Sequence, residues 1–405
     1  MNLKSPRNDI PKRRIVMIKI IDKMDCCGCT ACASICPKNC IVMESDDEGF
    51  IYPRVDLNSC AQCNLCEQVC PQKRKEERNN SIPETVVARD NRKKILSLGT
   101  SGSIFTAIIE NILANNGVVY GVIIDDDKVV KHVRVDSLQD RKVIKIPCSK
   151  YVKSEIRGIY LQVKDDLQSG KTVCFSGTPC QVAGLKSFLR KEYSNLICVD
   201  LVCRGNPSPL FWKRFVEYLE SKYKSTIIDV RFRNKTYGYH SGTMKVLFEN
   251  GKVYYGSART NYYLKAFFAD LCSRPSCYKC KFKHLQHESD LTLYDSWHAS
   301  ELADLQDDDK GYTNIIIQSE KGRNLLNKLN TIEVYPTDTR KAVELDGVMV
   351  ENSVKWSEKR EMFFENMDNE DIRQHCLKFI DVSLKDYFIE RIKRIYYHKK
   401  FKEYM

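Results

Sequence analysis

"CAQCNLCEQVCPQ", residues 60–72, places cysteines at 60, 63, 66 and 70 and a proline directly after the last of them. Upstream, "CCGCTACASICPK", residues 26–38, repeats the pitch from Cys26: Cys26, Cys29, Cys32, Cys36, Pro37. The segment between the runs, "CIVMESDDEGFIYPRVDLNSC", reads as two short strands around a turn at Asp47 and Gly49.

Two consecutive CxxCxxCxxxCP runs are the pattern of a two-cluster bacterial ferredoxin, in which the fourth cysteine of each run ligates the other run's cluster. One [4Fe–4S] cluster then takes Cys26, Cys29, Cys32 and Cys70, and the other takes Cys60, Cys63, Cys66 and Cys36. A pair of zinc knuckles fits less well, because zinc commonly uses two CxxC pairs and has no need of a third thiol at the same pitch or of the proline. Cys27 and Cys40 are surplus to the eight and read as small packed residues. Two such clusters hold and pass single electrons, so any substrate chemistry falls to the rest of the chain.

The chain has 405 residues, enough for two or three domains, and 19 cysteines. Its N-terminus has basic residues before a short apolar stretch, but Lys19, Asp22 and Lys23 interrupt it and no small-residue cleavage site follows, so it does not read as an export signal. Thiols in such a chain are expected to be reduced and cytoplasmic, and metal binding explains them better than disulfides. No apolar run is long enough to span a bilayer. The net charge of +12 is carried by short basic runs at "PKRR", "PQKRKEER" and "RIKRIYYHKKFK". These read as solvated boundaries or as docking surface for an acidic electron carrier; no nucleic-acid reader motif accompanies them.

After residue 82 strands and helices alternate, which predicts an α/β body. "ETVVARD", "VVYGVIID", "KVVKHVRV", "KTVCFSG", "LICVDLVCRG" and "YTNIIIQ" read as strands, and "TMKVLFENGKVYYGS" as a hairpin turning at Asn250-Gly251. Two strand-to-helix turns invite a phosphate. In "LGTSGSIF" the hydroxyls of Thr100, Ser101 and Ser103, with the backbone around Gly102, could cradle a pyrophosphate, or the turn could simply cap a helix. The second, "FSGTPCQ", carries Gly177 and Thr178 and adds Cys180. Cys203, Cys272, Cys277 and Cys280 join it, and the CxxC pair plus two of the solitary cysteines could form a third four-thiolate site; a zinc knuckle at Cys277 and Cys280, or buried unpaired thiols, are the alternatives.

Taken in order, "TSGSIFTAIIENIL", "SKYVKSEI", "VCFSGTPCQVAGLKSFL", "DLVCRGNPSPLFWKRFVEYL", "VRFRNKTYGYHSG" and "RPSCYKCKFKHLQHESDLTLYDSW" behind a two-cluster ferredoxin resemble the coenzyme F420 hydrogenase/dehydrogenase beta-subunit family over about residues 20 to 320. The resemblance implies an iron–sulfur flavoprotein in which FAD exchanges single electrons on the cluster side and pairs on the substrate side. Archaeal members act on a deazaflavin, and plant and cyanobacterial relatives reduce chlorophyll- or bilin-related substrates. Many bacterial members, often encoded near polysaccharide biosynthesis genes, have no assigned substrate. It further implies FAD phosphates near Thr100, Ser101, Gly102 and Ser103, Lys150 as a cationic partner, and a third [4Fe–4S] cluster on Cys180, Cys203, Cys277 and Cys280. The sequence departs from the family pattern at Ser103, Tyr294 and His298, where glycines are usual, and at Cys148; Asp295 and Trp297 are kept.

The expected architecture is an α/β body, a mixed sheet with helices and an inserted antiparallel hairpin, preceded by a small α+β two-[4Fe–4S] ferredoxin-like domain. The divisions are an extension at 1–16, the ferredoxin domain at 17–76, a linker at 77–82, the flavin and iron–sulfur body at 83–335, and a mostly helical basic region at 336–405. The expected function is an oxidoreductase passing electrons between a ferredoxin-type donor and an organic small-molecule acceptor. The alternative is a non-catalytic electron-transfer subunit docking on a partner redox enzyme. His240 and His298 sit in polar loops and are not assigned as acids; the catalytic residues and the acceptor stay unassigned.

Overall fold

The computed structural model describes residues 17–75 and 81–400. The expected extension at 1–16 and residues 77–80 of the expected linker lie outside the described residues.

The N-terminal unit is built twice over from one short pattern. Between the first and second cysteines of each run, Gly28 (φ 64°) and Gln62 (φ 52°) take left-handed backbone, and between the second and third Thr30 (φ 67°) and Asn64 (φ 61°) do the same. Successive left-handed residues fold the chain into a concave loop with its N–H groups turned inward. A single helical turn follows in each case, Ala31–Ser34 and Leu65–Gln68. Strands β1 (Ile41–Ser45) and β2 (Ile51–Val55) pair antiparallel between the two loops. Asp46 shapes their turn, its Oδ1 accepting from Glu48 N at 3.1 Å and Phe50 N at 2.8 Å.

The body carries β3 (Glu84–Asp90), β4 (Val118–Ile124), β5 (Val130–Val135), β6 (Val173–Gly177), β7 (Leu196–Leu201), β8 (Ile227–Asn234), β9 (Thr243–Phe248), β10 (Val253–Ser257), β11 (Leu291–Ser296), β12 (Tyr312–Ile317) and β13 (Ile332–Thr337). Eight of them form one mixed sheet in the order β13-β3-β12-β11-β7-β6-β4-β5. Its centre, β4, β6, β7 and β11, is parallel, and the flanking strands are antiparallel. Parallel strands are covered on both faces, which is why "VCFSG" is apolar without a polar side. Val173 and Phe175 pack with helices Ile159–Gln168 and Pro179–Leu189, while Cys174 between them packs on the opposite face with Ile104–Ala114.

The expected hairpin is one edge of a larger element: β8 joins it to make a three-stranded antiparallel sheet, β10-β9-β8. "IIDVRFRN" hides this strand because Ile228 faces outward, 53% exposed, and register shifts interrupt its pairing. β13, "IEVYPT", crosses the expected boundary at residue 335 and pairs along β3; its Pro336 is tolerated because β13 is an edge strand. Beyond it Ala342, Val343 and Val350 are buried against the sheet, so chain past 335 completes the body's core before the last helices begin. Those helices are Arg360–Phe364, Ile372–Leu377 and Leu384–Lys400.

The N-terminal unit seats directly on the body. The helix Ala31–Ser34 lies against Pro179–Leu189, and Gly184 makes the approach possible: a Cβ there would stand 2.7 Å from Cys29 Cβ and 2.8 Å from the Tyr160 hydroxyl.

Candidate redox site

Cys36, Cys60, Cys63 and Cys66 line one cavity in the N-terminal unit, with Met17, Ile41 and Val55 as its apolar wall. This is the crossed set expected from spacing. Backbone N–H groups already point at two of the sulfurs, Ile18 N to Cys66 Sγ at 3.3 Å and Gln62 N to Cys60 Sγ at 3.4 Å. Cys40 joins the same cavity, its sulfur 3.3 Å from that of Cys36. Around the other loop, burial raises the Cys32 thiol, and the neighbouring Cys26 and Cys70 raise it further. Cys29 is turned toward the body, where it packs in one cluster with Cys27 and stands beside Gly184.

A second group of thiols lies in the body. Cys180, Cys203, Cys277 and Cys280 line one cavity. Cys180 follows the turn after β6, Cys203 follows the end of β7, Cys277 lies within the 3-10 turn Pro275–Lys279 and Cys280 caps it. Cys272 does not join them; it is fully buried in the aromatic core with Phe211 and Tyr263. A fifth thiol does, and it comes from the N-terminal unit: Cys27 lines the same cavity as Cys180. Cys27 is packed, as its surplus position suggests, but it is packed at the edge of this cavity.

Burial raises the thiols of Cys203, Cys277 and Cys280, the last to about 12, and adjacent sulfurs add to it. Metal loading would have to displace those protons. Among the described residues, no three His, Cys, Asp or Glu side chains converge as they would around a single metal ion. The four body thiols instead surround a space, each electrostatically coupled to others of the set. Cations surround them in turn. Lys153 Nζ and Arg274 Nη1 are buried without a hydrogen-bond partner, and both act on these sulfurs. Lys283 also lines the cavity. Unpartnered buried cations are costly, and a negatively charged cluster on these four cysteines would compensate them. The residues present therefore fit an iron–sulfur group.

Sequence reasoning missed a polar residue here. His287 lines the same cavity with its side chain 3% exposed; Nδ1 is 2.9 Å from Asp200 Oδ2 and Nε2 has no partner. A carboxylate that fixes an imidazole this way is typical of the outer shell of metal sites, but the signal is absent from the sequence because the pair is 87 residues apart.

Beside the thiol cavity is a much larger one, about 450 Å³, within the range of small-molecule sites. It opens at the carboxyl ends of the parallel strands, where Ser176 and Gly177 end β6, Asp200 and Leu201 end β7, and Asp295 nears the end of β11. That is the crevice at which open α/β sheets bind ligands. Thr100, Ser101, Ser103, Lys150, Gly177 and Thr178 line it. Gly102 does not. Its backbone is pressed on the sheet, N–H donating to Thr313 Oγ1 at 2.8 Å, and a Cβ would stand 2.5 Å from Ala88 O.

The glycine-serine turn is held from below. Lys235 Nζ donates to Leu96 O at 2.7 Å and Ser101 O at 2.6 Å, and burial pulls this lysine down to about 7. Ser103, where the resemblance implies glycine, keeps the left-handed backbone (φ 61°) and turns its hydroxyl to Ile95 O at 3.2 Å. Gly99 leaves room for it: a Cβ there would collide with Ser103 Oγ. The substitution is thus absorbed by local packing. Lys150 lines the cavity and donates to Lys145 O at 2.6 Å and Ile146 O at 2.8 Å; burial pulls it down to about 7.

At the far wall Asp295 gathers three donors, Ser101 Oγ, Tyr239 Oη at 2.8 Å and Arg233 Nη1 at 2.9 Å. Burial works to raise its carboxyl, but the Arg233 guanidinium and these hydrogen bonds hold it below the usual range. Arg233 also lies 4.7 Å from the centre of the Trp297 ring, which stacks on Tyr239 at 4.3 Å. Tyr294 lines the cavity with its hydroxyl unpartnered. Neither His240, paired to Asp307 at 2.8 Å, nor His298, paired to Asp346 at 2.6 Å, lines the cavity. Cys148 lines its mouth, 2.6 Å from Arg231 Nη1.

Paired cysteine loops of ferredoxin type seated on an α/β body define an iron–sulfur redox protein. Comparison with known families agrees. A 4Fe-4S dicluster domain profile matches residues 25–73, and the profile for the C-terminal part of the coenzyme F420 hydrogenase/dehydrogenase beta chain matches residues 170–341. Residues 170–341 therefore form a domain of the F420 hydrogenase/dehydrogenase beta-subunit family, and the N-terminal unit is a two-[4Fe–4S] domain. Among solved structures it is similar to a chain of the F420-reducing [NiFe] hydrogenase complex from Methanosarcina barkeri, at 17% identity and a TM-score of 0.44, over 73% of this chain and 97% of that one. None of the curated proteins compared matches it. No helix among the described residues is long and apolar enough to cross a membrane.

Proposed function

We propose that the chain is an iron–sulfur flavoprotein oxidoreductase of a reducing, cytoplasmic compartment. Electrons from a ferredoxin-type carrier enter at the N-terminal unit, cross to a third cluster on Cys180, Cys203, Cys277 and Cys280, and leave for an organic acceptor at the large cavity. One observation carries the reading: the thiol cavity and the large cavity share a wall, made by Thr178, Cys203, Arg204, Gly205, Asn206 and Met349. Single-electron and two-electron chemistry have to meet across such a wall.

FAD bound in the large cavity would convert single electrons into pairs. The chain's own residues do the rest. The turn at Thr100–Ser103 and the turn at Gly177–Thr178 offer hydroxyl and N–H donors to phosphate, and Lys150 offers a cation. Asp295, Arg233 and Tyr239 form a polar wall held together by their own hydrogen bonds. The test is anaerobic purification with iron, sulfide and flavin measured on one sample. About twelve irons and one flavin per chain are expected; eight irons and no flavin would overturn the proposal.

The second reading, an electron-transfer subunit docking on a redox enzyme, is favoured by the helix Leu384–Lys400. Leu384, Phe388, Ile392, Ile395 and Tyr396 are 50–88% exposed and fall at helical spacing on one side. A stripe of this kind marks an interaction surface. Co-purification of a redox enzyme that is lost on Phe388→Glu, with no turnover of free small molecules, would support this non-catalytic reading.

A further inference from the structure

Arg274 has the most unusual environment of any charged residue described. Its residue exposure is 0%, and among the described residues it has no carboxylate partner within ion-pair distance. Nε donates to Cys26 O at 2.6 Å and Nη2 to Ile51 O at 3.0 Å. The guanidinium lies over the Tyr52 ring at 4.1 Å and near Phe50 at 5.5 Å, and Nη1 has no partner.

That free edge faces the first cysteine loop. A Cβ at Gly28 would stand 2.9 Å from Nη1, so the guanidinium sits against the backbone between Cys26 and Cys29. Gly28 has φ +64° and cannot be replaced without strain, which preserves the approach. On its other side Arg274 belongs to the body: its N–H donates to Asn206 O at 2.9 Å, and Cys277 is three residues on. An arginine stays protonated at any ordinary pH. A buried cation needs an opposite charge, and besides Tyr52 the groups that act electrostatically on this one are thiols: Cys26 and Cys27 from the N-terminal unit, Cys277 from the body.

We propose that Arg274 is the electrostatic link between the N-terminal unit and the body: its positive charge raises the reduction potential of the cluster on the Cys26 side and makes this junction, with Cys27 and Cys180 lining one cavity beside it, the electron crossing. The charge effect rests only on the two-cluster unit, whereas the crossing rests on the proposed body cluster. At each crossing one electron is lost on the Cys26 side and gained on the Cys180 side; no bond forms or breaks and no proton moves. The electron comes from a low-potential one-electron donor. A cation favours the reduced, more negative state of a neighbouring cluster, and net charge and hydrogen bonding near the sulfurs are what set such potentials.

The experiment compares full-length wild type, Arg274→Gln and Arg274→Lys, purified anaerobically, by iron content and by potentiometric titration followed by electron paramagnetic resonance. The expected result is unchanged iron, one cluster potential shifted downward in Arg274→Gln, and a potential near wild type in Arg274→Lys. A second pair of variants keeps the test open should Arg274→Gln lose iron: Tyr52→Glu sets a carboxylate on the guanidinium while keeping its backbone bonds, and Tyr52→Gln is the neutral control. The same downward shift is expected in Tyr52→Glu and not in Tyr52→Gln. Full iron with unmoved potentials in Arg274→Gln, or in Tyr52→Glu, overturns the proposal and leaves Arg274 a structural tie. Eight irons in the wild type would overturn the crossing together with the flavoprotein reading, and is distinguished from failure of the proposal alone by that count.

Discussion

Arg360 reaches Glu48 across 312 residues of sequence, its Nη1 donating to Glu48 Oε1 at 2.8 Å while Nη2 meets the second carboxylate oxygen. The guanidinium is 2% exposed and Nε donates to Ser273 O at 3.1 Å, so one side chain ties the C-terminal helices, the body and the turn of the N-terminal hairpin together. Glu48→Gln leaves that cation buried without its counter-charge. Removing one partner of a buried pair costs about 3 kcal/mol or more. The expected outcome is a lower anaerobic unfolding temperature, with the N-terminal unit cleaved first in limited proteolysis.

The body thiols give a prediction that separates ligands from neighbours. Cys277→Ser should lower the iron count from about twelve to about eight, with flavin content largely kept because the large cavity retains its other walls. Cys27→Ser and Cys40→Ser should leave the count unchanged, since each stands beside a complete set of four. Loss of iron in Cys27→Ser would make it a ligand in place of Cys203.

The N-terminal unit was legible because its chemistry is local. Four thiols at fixed offsets and a strand-turn-strand between them lie within about fifty residues, and the left-handed positions repeat with the same pitch as the cysteines. The parallel core was legible from apolar runs such as "VCFSG". What the sequence concealed was long-range or irregular. β8 and β13 carry charges or a proline and expose apolar residues, so neither shows clean alternation. The pairs Asp200–His287 and Arg233–Asp295, and the Arg274 site, are made by residues 62 to 248 positions apart, and nothing in the local pattern of either partner announces the other. The place of Cys27 beside Cys180 was concealed for the same reason, since the two lie in different units.

Asp295 is expected to matter for order in the large cavity more than for charge alone. Asp295→Ala would release Ser101 from the glycine-serine turn, free the Tyr239 hydroxyl, and strand Arg233, whose side chain is only 10% exposed. The cost should be about 2–3 kcal/mol, together with loss of bound flavin. Asp295→Asn keeps the shape and one acceptor oxygen, so it should retain flavin but weaken its retention on gel filtration. Equal flavin content in Asp295→Ala and wild type would place the cofactor elsewhere.

Lys150 makes flavin binding sensitive to pH in a direction that can be worked out. Burial depresses the free protein's ammonium to about 7, well below its ordinary 10.5. A phosphate anion beside it favours the charged form, so the bound state has the higher value and binding takes up a proton at any pH between the two. Affinity should therefore be level below pH 7 and fall as the pH rises above it, by at most about tenfold per pH unit for one proton. Lys150→Met should bind FAD more weakly at pH 6.5 and lose most of that slope, because the hydroxyls and N–H groups of the two turns keep the same charge throughout. Equilibrium titration of flavin-stripped protein at pH 6.5, 7.5 and 8.5, wild type beside Lys150→Met, reads both effects; parallel curves would remove Lys150 from the phosphate site.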